Sequence, residues 1–203
     1  QTASALFWGP AAPSVWMGLA LVLAEDESLS TLDMGQLFAR LAISQIDGLI
    51  AGWDAKYEYR LWRPVTAIRE GDTDGNAATV ADPAWLPLAT TPAHPSFVST
   101  ASIIAPAASA ILLDALGDEA FCGMVAGVSR CWSGIAAAAQ DASDSRVWAG
   151  IHYRFDNLVA LDMGRDVAAL VLADPRFDVP APGAIALFGL GAGVLAAARR
   201  RRG

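Results

Sequence analysis

The stretch that decides the fold is Ser145-Arg-Val-Trp-Ala-Gly-Ile-His-Tyr-Arg-Phe-Asp156, which brings a cation, a glycine, an imidazole and a carboxylate close together. Arg146 offers a planar fork of donors for an oxyanion, and Gly150 lets the backbone approach a ligand closely. His152 and Asp156 are four residues apart, so a helix would hold the carboxylate against the imidazole and fix its tautomer. A lone histidine is more often structural, but this combination favours a functional site.

A second cationic segment lies upstream, in Lys56-Tyr-Glu-Tyr-Arg-Leu-Trp-Arg-Pro64. Lys56 and Arg63 are seven residues apart, about two helical turns, so we expect both side chains on one face of a helix. Two long cations on one face can hold a tetrahedral oxyanion. Taken by itself, the segment fits a solvated basic face better than a binding site.

A third segment, His94-Pro-Ser-Phe-Val-Ser-Thr-Ala101, opens an apolar helix whose N-terminus would favour an anion. His94 and His152 are the only histidines, which excludes a multi-histidine metal site. Cys122 and Cys131 lack the spacing of a zinc site. Because we expect them within one helix, where nine residues would hold the sulfurs too far apart, they are predicted to be buried and unbridged.

The spacing of apolar residues predicts helices throughout, and no stretch shows sustained alternation of apolar and polar residues. Ser30, with Asp33 three residues later, predicts a helix start. We therefore expect an all-α helical bundle. The predicted helices cover residues 15–24, 34–53, 96–116, 118–139 and 158–172, with a long loop over 71–91.

The composition is that of a folded acidic domain. The 203 residues are 54% hydrophobic and carry a formal net charge of −7. This balance argues against a nucleic-acid partner, which demands a basic face. It does not exclude small anions, because a local cluster of cations can oppose the overall sign.

After Asp174 the chain changes character. Residues 183–198 are wholly apolar and four arginines follow them, which resembles a PEP-CTERM sorting tail with the motif Val179-Pro-Ala-Pro182. That resemblance implies a secreted or surface protein outside the cytoplasm of a Gram-negative bacterium. The tail would anchor it transiently in the inner membrane until a sorting enzyme cleaves it. Because Gln1 is not methionine, either a leader has been removed or the chain is a fragment. The predicted organisation is a helical domain over residues 1–174, a Pro-rich linker over 175–182 and a sorting helix over 183–203.

Two of the three segments resemble the motifs of the vanadium-dependent haloperoxidases and of their relatives, the type 2 phosphatidic acid phosphatases. Lys56 to Pro64 matches the Lys, six residues, Arg-Pro motif, and Ser145 to Asp156 matches the Ser-Arg, Gly, His, Asp motif without a gap. The resemblance extends over about Gln1 to Leu172 and implies a bundle of the haloperoxidase/acid phosphatase type. Carried over residue by residue, it implies oxyanion ligands at Lys56, Arg63, Ser99, Thr100 and Arg146, an axial vanadium ligand or phosphoryl nucleophile at His152, and an orienting carboxylate at Asp156.

The third segment departs from the family pattern. The expected Ser-Gly-His run is Ser99-Thr100-Ala101, so the acid–base histidine is replaced by Ala101, and His94 lies seven residues earlier in a Pro-flanked turn. Three functions stay open. In the first, the chain is a peroxidase, that is, an oxidoreductase that uses vanadate and hydrogen peroxide to oxidise halide. Alternatively, it is a phosphatase that hydrolyses a phosphoester, with phosphate in place of vanadate. The third is a non-catalytic, oxyanion-binding surface domain.

Overall fold

The computed structural model describes residues 1–177 and divides the chain into a unit of Gln1–Leu172 and a unit of Ala173–Gly203. The first unit contains helices joined by loops, with one β-hairpin between the fifth and sixth helices. The predicted bundle is therefore confirmed, with the hairpin added to it. The elements are α1 (Thr2–Phe7), α2 (Ala12–Asp26), α3 (Thr31–Tyr59), α4 (Pro64–Arg69), α5 (Thr100–Leu116), β1 (Phe121–Val125), β2 (Val128–Trp132), α6 (Ile135–Trp148) and α7 (Arg154–Leu172).

Helix α5 forms the centre of the bundle, and α2, α3, α6 and α7 all pack against it. It is apolar on nearly every side, as a helix enclosed by others must be. Its neighbours approach closely because they present glycines. A Cβ at Gly52 of α3 would lie 2.7 Å from Ile103 Cδ1, and one at Gly164 of α7 would lie 2.1 Å from the Ile103 carbonyl oxygen. This packing brings the N-terminal end of α5 against the C-terminal half of α3.

Helix α3 begins where the sequence predicts. Ser30 is its N-cap, and the Ser30 hydroxyl accepts a hydrogen bond from the Asp33 amide. The helix ends at Tyr59 because Arg60 adopts the left-handed conformation, with φ of 48°. Arg63 therefore lies outside α3, as the N-cap of α4. The expectation that Lys56 and Arg63 share one helix face was wrong, although the two side chains still come together.

The predicted helix over residues 118–139 was also wrong, because residues 121–132 form an antiparallel hairpin. Its two-residue turn, Ala126-Gly127, has positive φ at both positions, the conformation that matches the twist of paired strands. The register places Cys122 opposite Cys131, with 4.0 Å between their Cα atoms, and the two form a disulfide. The prediction of unbridged cysteines failed for the same reason, since the separation argument applies only within a helix.

The remaining predicted helices correspond to α2, α5 and α7, with shifted ends, and residues 74–99 form the long loop after a 3-10 turn at Gly71–Thr73. Within the part of the chain that the structure describes, no helix has the length and apolarity needed to span a membrane. In the second unit, a 3-10 turn at Pro175–Phe177 is described. The predicted sorting helix and most of the linker lie outside the described residues.

Candidate oxyanion site

The chain segment between α6 and α7 carries the histidine of the first motif. Gly150 adopts a φ of 75°, a conformation that a β-carbon disfavours. A Cβ there would also lie 3.0 Å from the Trp85 ring and 3.2 Å from Pro87. Position 150 therefore requires glycine for two independent reasons. The reversal that it allows turns His152, which precedes α7, back into the interior.

His152 is held in one tautomer. Its Nδ1 lies 2.9 Å from Asp156 Oδ2, which also accepts from the Ser96 hydroxyl at 2.5 Å and from the Tyr153 amide at 3.2 Å. Its Nε2 lies 3.0 Å from Arg63 Nη1, which can only donate. The proton therefore sits on Nδ1 and the lone pair on Nε2. Burial lowers the pKa of His152 to about 3, so the ring is neutral near pH 7.

Lys56 is the only lysine of the chain, and its side chain is fully buried. Its ammonium donates to the carbonyl oxygens of Pro95, at 2.8 Å, and Ser96, at 2.9 Å. Burial and, to a smaller extent, the charge of Arg63 lower its pKa to about 7, and the charge of Asp156 opposes both effects. Lys56 thus gives the site a cation that exchanges its proton near neutral pH.

Arg63 links three segments. Its Nε donates to the His94 carbonyl at 3.0 Å, and its Nη1 contacts both the Ile151 carbonyl, at 2.6 Å, and His152 Nε2. Its Nη2 lies 3.1 Å from His94 Nδ1. Burial lowers the pKa of Arg63 to about 10, so the guanidinium stays charged at neutral pH.

Arg146 approaches from α6. Its Nη1 donates to the Trp8 carbonyl at 2.7 Å, while its Nε is buried and has no hydrogen-bond partner. Trp8 is itself fixed by its indole, which donates to Asp141 at 2.9 Å. Burial lowers the pKa of Arg146, and its charge acts on Arg63. A buried donor without an acceptor is costly, and it marks a position where a ligand oxygen would accept a hydrogen bond.

The charges in this cluster do not balance. Lys56, Arg63 and Arg146 bring positive charge into a buried region, and the carboxylate whose charge opposes them is that of Asp156. Buried charges are usually paired. The cluster therefore has a surplus of cationic donors around Nε2 of His152.

The segment from His94 to Ala101 lies partly in the long loop and partly in the first turn of α5. Ser99 is buried as the N-cap of α5, and its hydroxyl is 2.9 Å from that of Ser102. Thr100 begins α5 and packs its methyl group against Gly52. Ala101 lies next to it in the first helical turn.

Sequence reasoning assigned no site role to His94 or Ser96, yet both belong to the cluster. Ser96 binds the carboxylate that holds His152, and His94 contacts Arg63. Both residues belong to the segment from His94 to Ala101, but no spacing in the sequence predicts that they lie beside residues 56–63 or 152–156. Only the path of the long loop does so.

The fold and the cluster define a helical bundle with a buried cationic centre around one histidine. The chain belongs to the family described as the VCPO second helical-bundle domain, whose model matches residues 36–176. Residues 178–202 match the PEP-CTERM protein-sorting motif, which points to a sorted protein outside the cytoplasm.

Solved structures agree with this assignment. The first bacterial vanadium-dependent iodoperoxidase is 28% identical, with a TM-score of 0.75 over 84% of this chain and 43% of that one. The holo-type bacterial vanadium-dependent chloroperoxidase is 21% identical, with a TM-score of 0.50 over 63% and 33%, which shows the fold alone. The chain thus spans less than half the length of either structure. No curated protein matches it.

Proposed function

We propose that this domain binds vanadate, with phosphate as a competing oxyanion, and that it supports the oxidation of halide by hydrogen peroxide. The observation that carries the proposal is the surplus of buried cationic donors around the fixed lone pair of His152. The domain, its surplus charge and its likeness to an iodoperoxidase all favour this function. When bound, vanadate would act as a Lewis acid that activates peroxide.

The residues present fit such an anion. The unpartnered Nε of Arg146 needs an acceptor, and the charge of Lys56 needs an anion to compensate its burial. His152 would bind the vanadium through Nε2, and Asp156 would keep that nitrogen free of a proton. Lys56, Arg63 and Arg146 would neutralise the oxygens.

One rearrangement is required. His152 Nε2 has a single lone pair, which now accepts from Arg63 Nη1. Any ligand of His152 must replace that hydrogen bond. Arg63 would turn its donor toward the ligand oxygens, and it would keep its Nε bond to the His94 carbonyl.

The first experiment measures anion binding by calorimetry. Vanadate and phosphate are each titrated into the protein, alone and in the presence of the other anion. We expect one shared site, and absence of heat with both anions contradicts the proposal. Arg146→Gln should weaken binding by about tenfold to a hundredfold, since a hydrogen bond to a charged group contributes about 1.5–3 kcal/mol. The matched control is Arg165→Gln, because Arg165 is exposed and pairs with Asp162, three residues earlier on the same helix. Equal losses in the two variants would also contradict the proposal.

Turnover distinguishes the candidate functions. The vanadate-loaded protein should oxidise iodide or bromide with hydrogen peroxide, whereas a phosphatase would hydrolyse a phosphomonoester without vanadate and be inhibited by it. Anion binding without either activity identifies a binding domain.

We also propose that the tail anchors the protein transiently in the inner membrane before a sorting enzyme removes it. A truncation at Asp178 that leaves membrane association unchanged would contradict this.

A further inference from the structure

We propose that His94 is the residue that transfers protons in this site, and this inference rests on the proposed function. Its ring lies half-buried, 4.8 Å from the Trp53 ring between centroids, and its Nδ1 is 3.1 Å from Arg63 Nη2. The two histidines of the chain therefore contact the same guanidinium from two different loops.

The tautomer of His94 directs its basic atom into the site. Arg63 can only donate, so Nδ1 of the neutral ring carries the lone pair and Nε2 carries the proton. An oxygen that takes the place of this nitrogen as the acceptor of Arg63 Nη2 would lie beside that lone pair. A base within such reach of the transferring proton is the first requirement for general acid–base catalysis.

Both protonation states of His94 have a partner. The neutral ring accepts from Arg63 through Nδ1, and the same nitrogen lies 3.3 Å from the Pro95 carbonyl, which can accept a proton-bearing Nδ1. The backbone is fixed as well, because the His94 amide donates to the Pro92 carbonyl at 2.9 Å. The ring can therefore gain and lose a proton without moving its backbone.

The charges that face His94 keep it neutral. Burial lowers its pKa, as do the charges of Lys56 from α3 and Arg63 from the start of α4, while the Pro95 carbonyl opposes them. His94 is therefore ready to accept a proton at neutral pH. His152 is a poor alternative, since its one lone pair is reserved for the ligand.

The proton balance is simple. As hydrogen peroxide enters, one O–H bond would break, an N–H bond would form on Nδ1 of His94, and the hydroperoxide anion left behind would take the place of a hydroxide in the site. The imidazolium then donates that proton to the hydroxide displaced from the site, which leaves as water. No oxidant or reductant is consumed in this exchange, and His94 ends as it began.

The test compares His94→Gln and His94→Ala with the unmodified protein, all loaded with vanadate. His94→Gln keeps an acceptor for Arg63, but the glutamine amide cannot take up or release a proton near neutral pH. We expect both variants to lose about a hundredfold in kcat/KM for hydrogen peroxide, the low end of acid–base effects. Vanadate affinity, measured by calorimetry, should stay within about threefold, because no vanadium ligand is removed. Added imidazole should restore at least part of the activity of His94→Ala.

The pH profile separates proton transfer from positioning. In the unmodified protein, kcat/KM should fall at acid pH, where the base becomes protonated. Because burial and the charges of Lys56 and Arg63 lower the pKa of His94, this acid limb should lie below the ordinary range of an imidazole, and His94→Gln should lack it. Unchanged kcat/KM in His94→Gln, or an acid limb that persists in it, overturns the inference, as does an unmodified protein that binds vanadate without turnover. If the unmodified protein fails to bind vanadate, the proposed function fails instead.

Discussion

Lys56 provides the sharpest quantitative test of the site. Its pKa is lowered from 10.5 to about 7 because the ammonium is buried beside Arg63. The unfolded chain exposes this side chain and restores its ordinary pKa. Between pH 7 and pH 10.5 the unfolded state therefore binds more protons than the folded state, and the free energy of unfolding must rise with pH.

The size of the effect follows from the two pKa values. A full proton difference changes stability by about 1.4 kcal/mol per pH unit, so unfolding should become about 2.5 kcal/mol less favourable between pH 7.5 and pH 9.5. His152, Arg63 and Tyr153 titrate outside this window. The pKa of His152 is about 3, that of Arg63 about 10 and that of Tyr153, raised by burial, about 12.

Urea unfolding at pH 7.5, 8.5 and 9.5 measures the slope, with Lys56→Met as the control that removes the titrating group while keeping most of the side-chain length. Because Lys56 is the only lysine, ¹³C-lysine labelling gives one NMR signal for a direct titration. Saturating phosphate or vanadate should raise the measured pKa toward 10, since an anion stabilises the ammonium. A pKa near 10 in the anion-free protein would refute the argument that burial leaves this cation uncompensated.

Three further outcomes follow. Gly164→Ala should lower the free energy of unfolding by about 2 kcal/mol or more, because its Cβ would meet the backbone of α5. Gly18→Ala should leave that free energy unchanged or raise it by up to about 1 kcal/mol, because a Cβ at position 18 has open space. Urea unfolding of the two variants measures the difference. Replacing Cys122 and Cys131 by serine should lower the melting temperature, from a stability loss of about 2–3 kcal/mol for a loop of this length, and an unchanged value would contradict the disulfide. Ala101→His should recover turnover in a protein that also carries His94→Ala, and add little when His94 is present; equal gains in both backgrounds would argue that His94 transfers no proton.

Local sequence was sufficient for most of the bundle. Apolar spacing marked the helices that became α2, α3, α5 and α7, and the Ser30 cap located the start of α3, because these features depend on neighbours in the chain. The segment over residues 118–139 failed because a short apolar run fits a buried helix as well as a strand pair. What distinguishes the two is the Ala126-Gly127 turn, a weaker signal than Asn-Gly.

The disulfide illustrates a second limit. A spacing of nine residues is unfavourable in a helix but ideal in a hairpin whose two-residue turn lies midway between the cysteines. The cysteines were wrongly predicted to be unbridged because the segment that contains them was wrongly predicted to be a helix. In the site, residues joined within one motif, such as His152 and Asp156, were paired from spacing alone. Contacts between motifs required the tertiary path of the chain.

The replacement of one histidine by Ala101 carries a different meaning once the loop is seen. A proton-transfer group has to reach the reacting oxygen, and nothing requires it to come from a particular helix. When the chain is matched to the family motif position by position, Ala101 indicates that the acid–base histidine is missing. In the structure, Arg63 contacts His152 through Nη1 and His94 through Nη2, so an oxygen that bridges these two nitrogens would lie near both rings. A site can therefore lack a histidine at one position of its motif and still hold a base beside its anion.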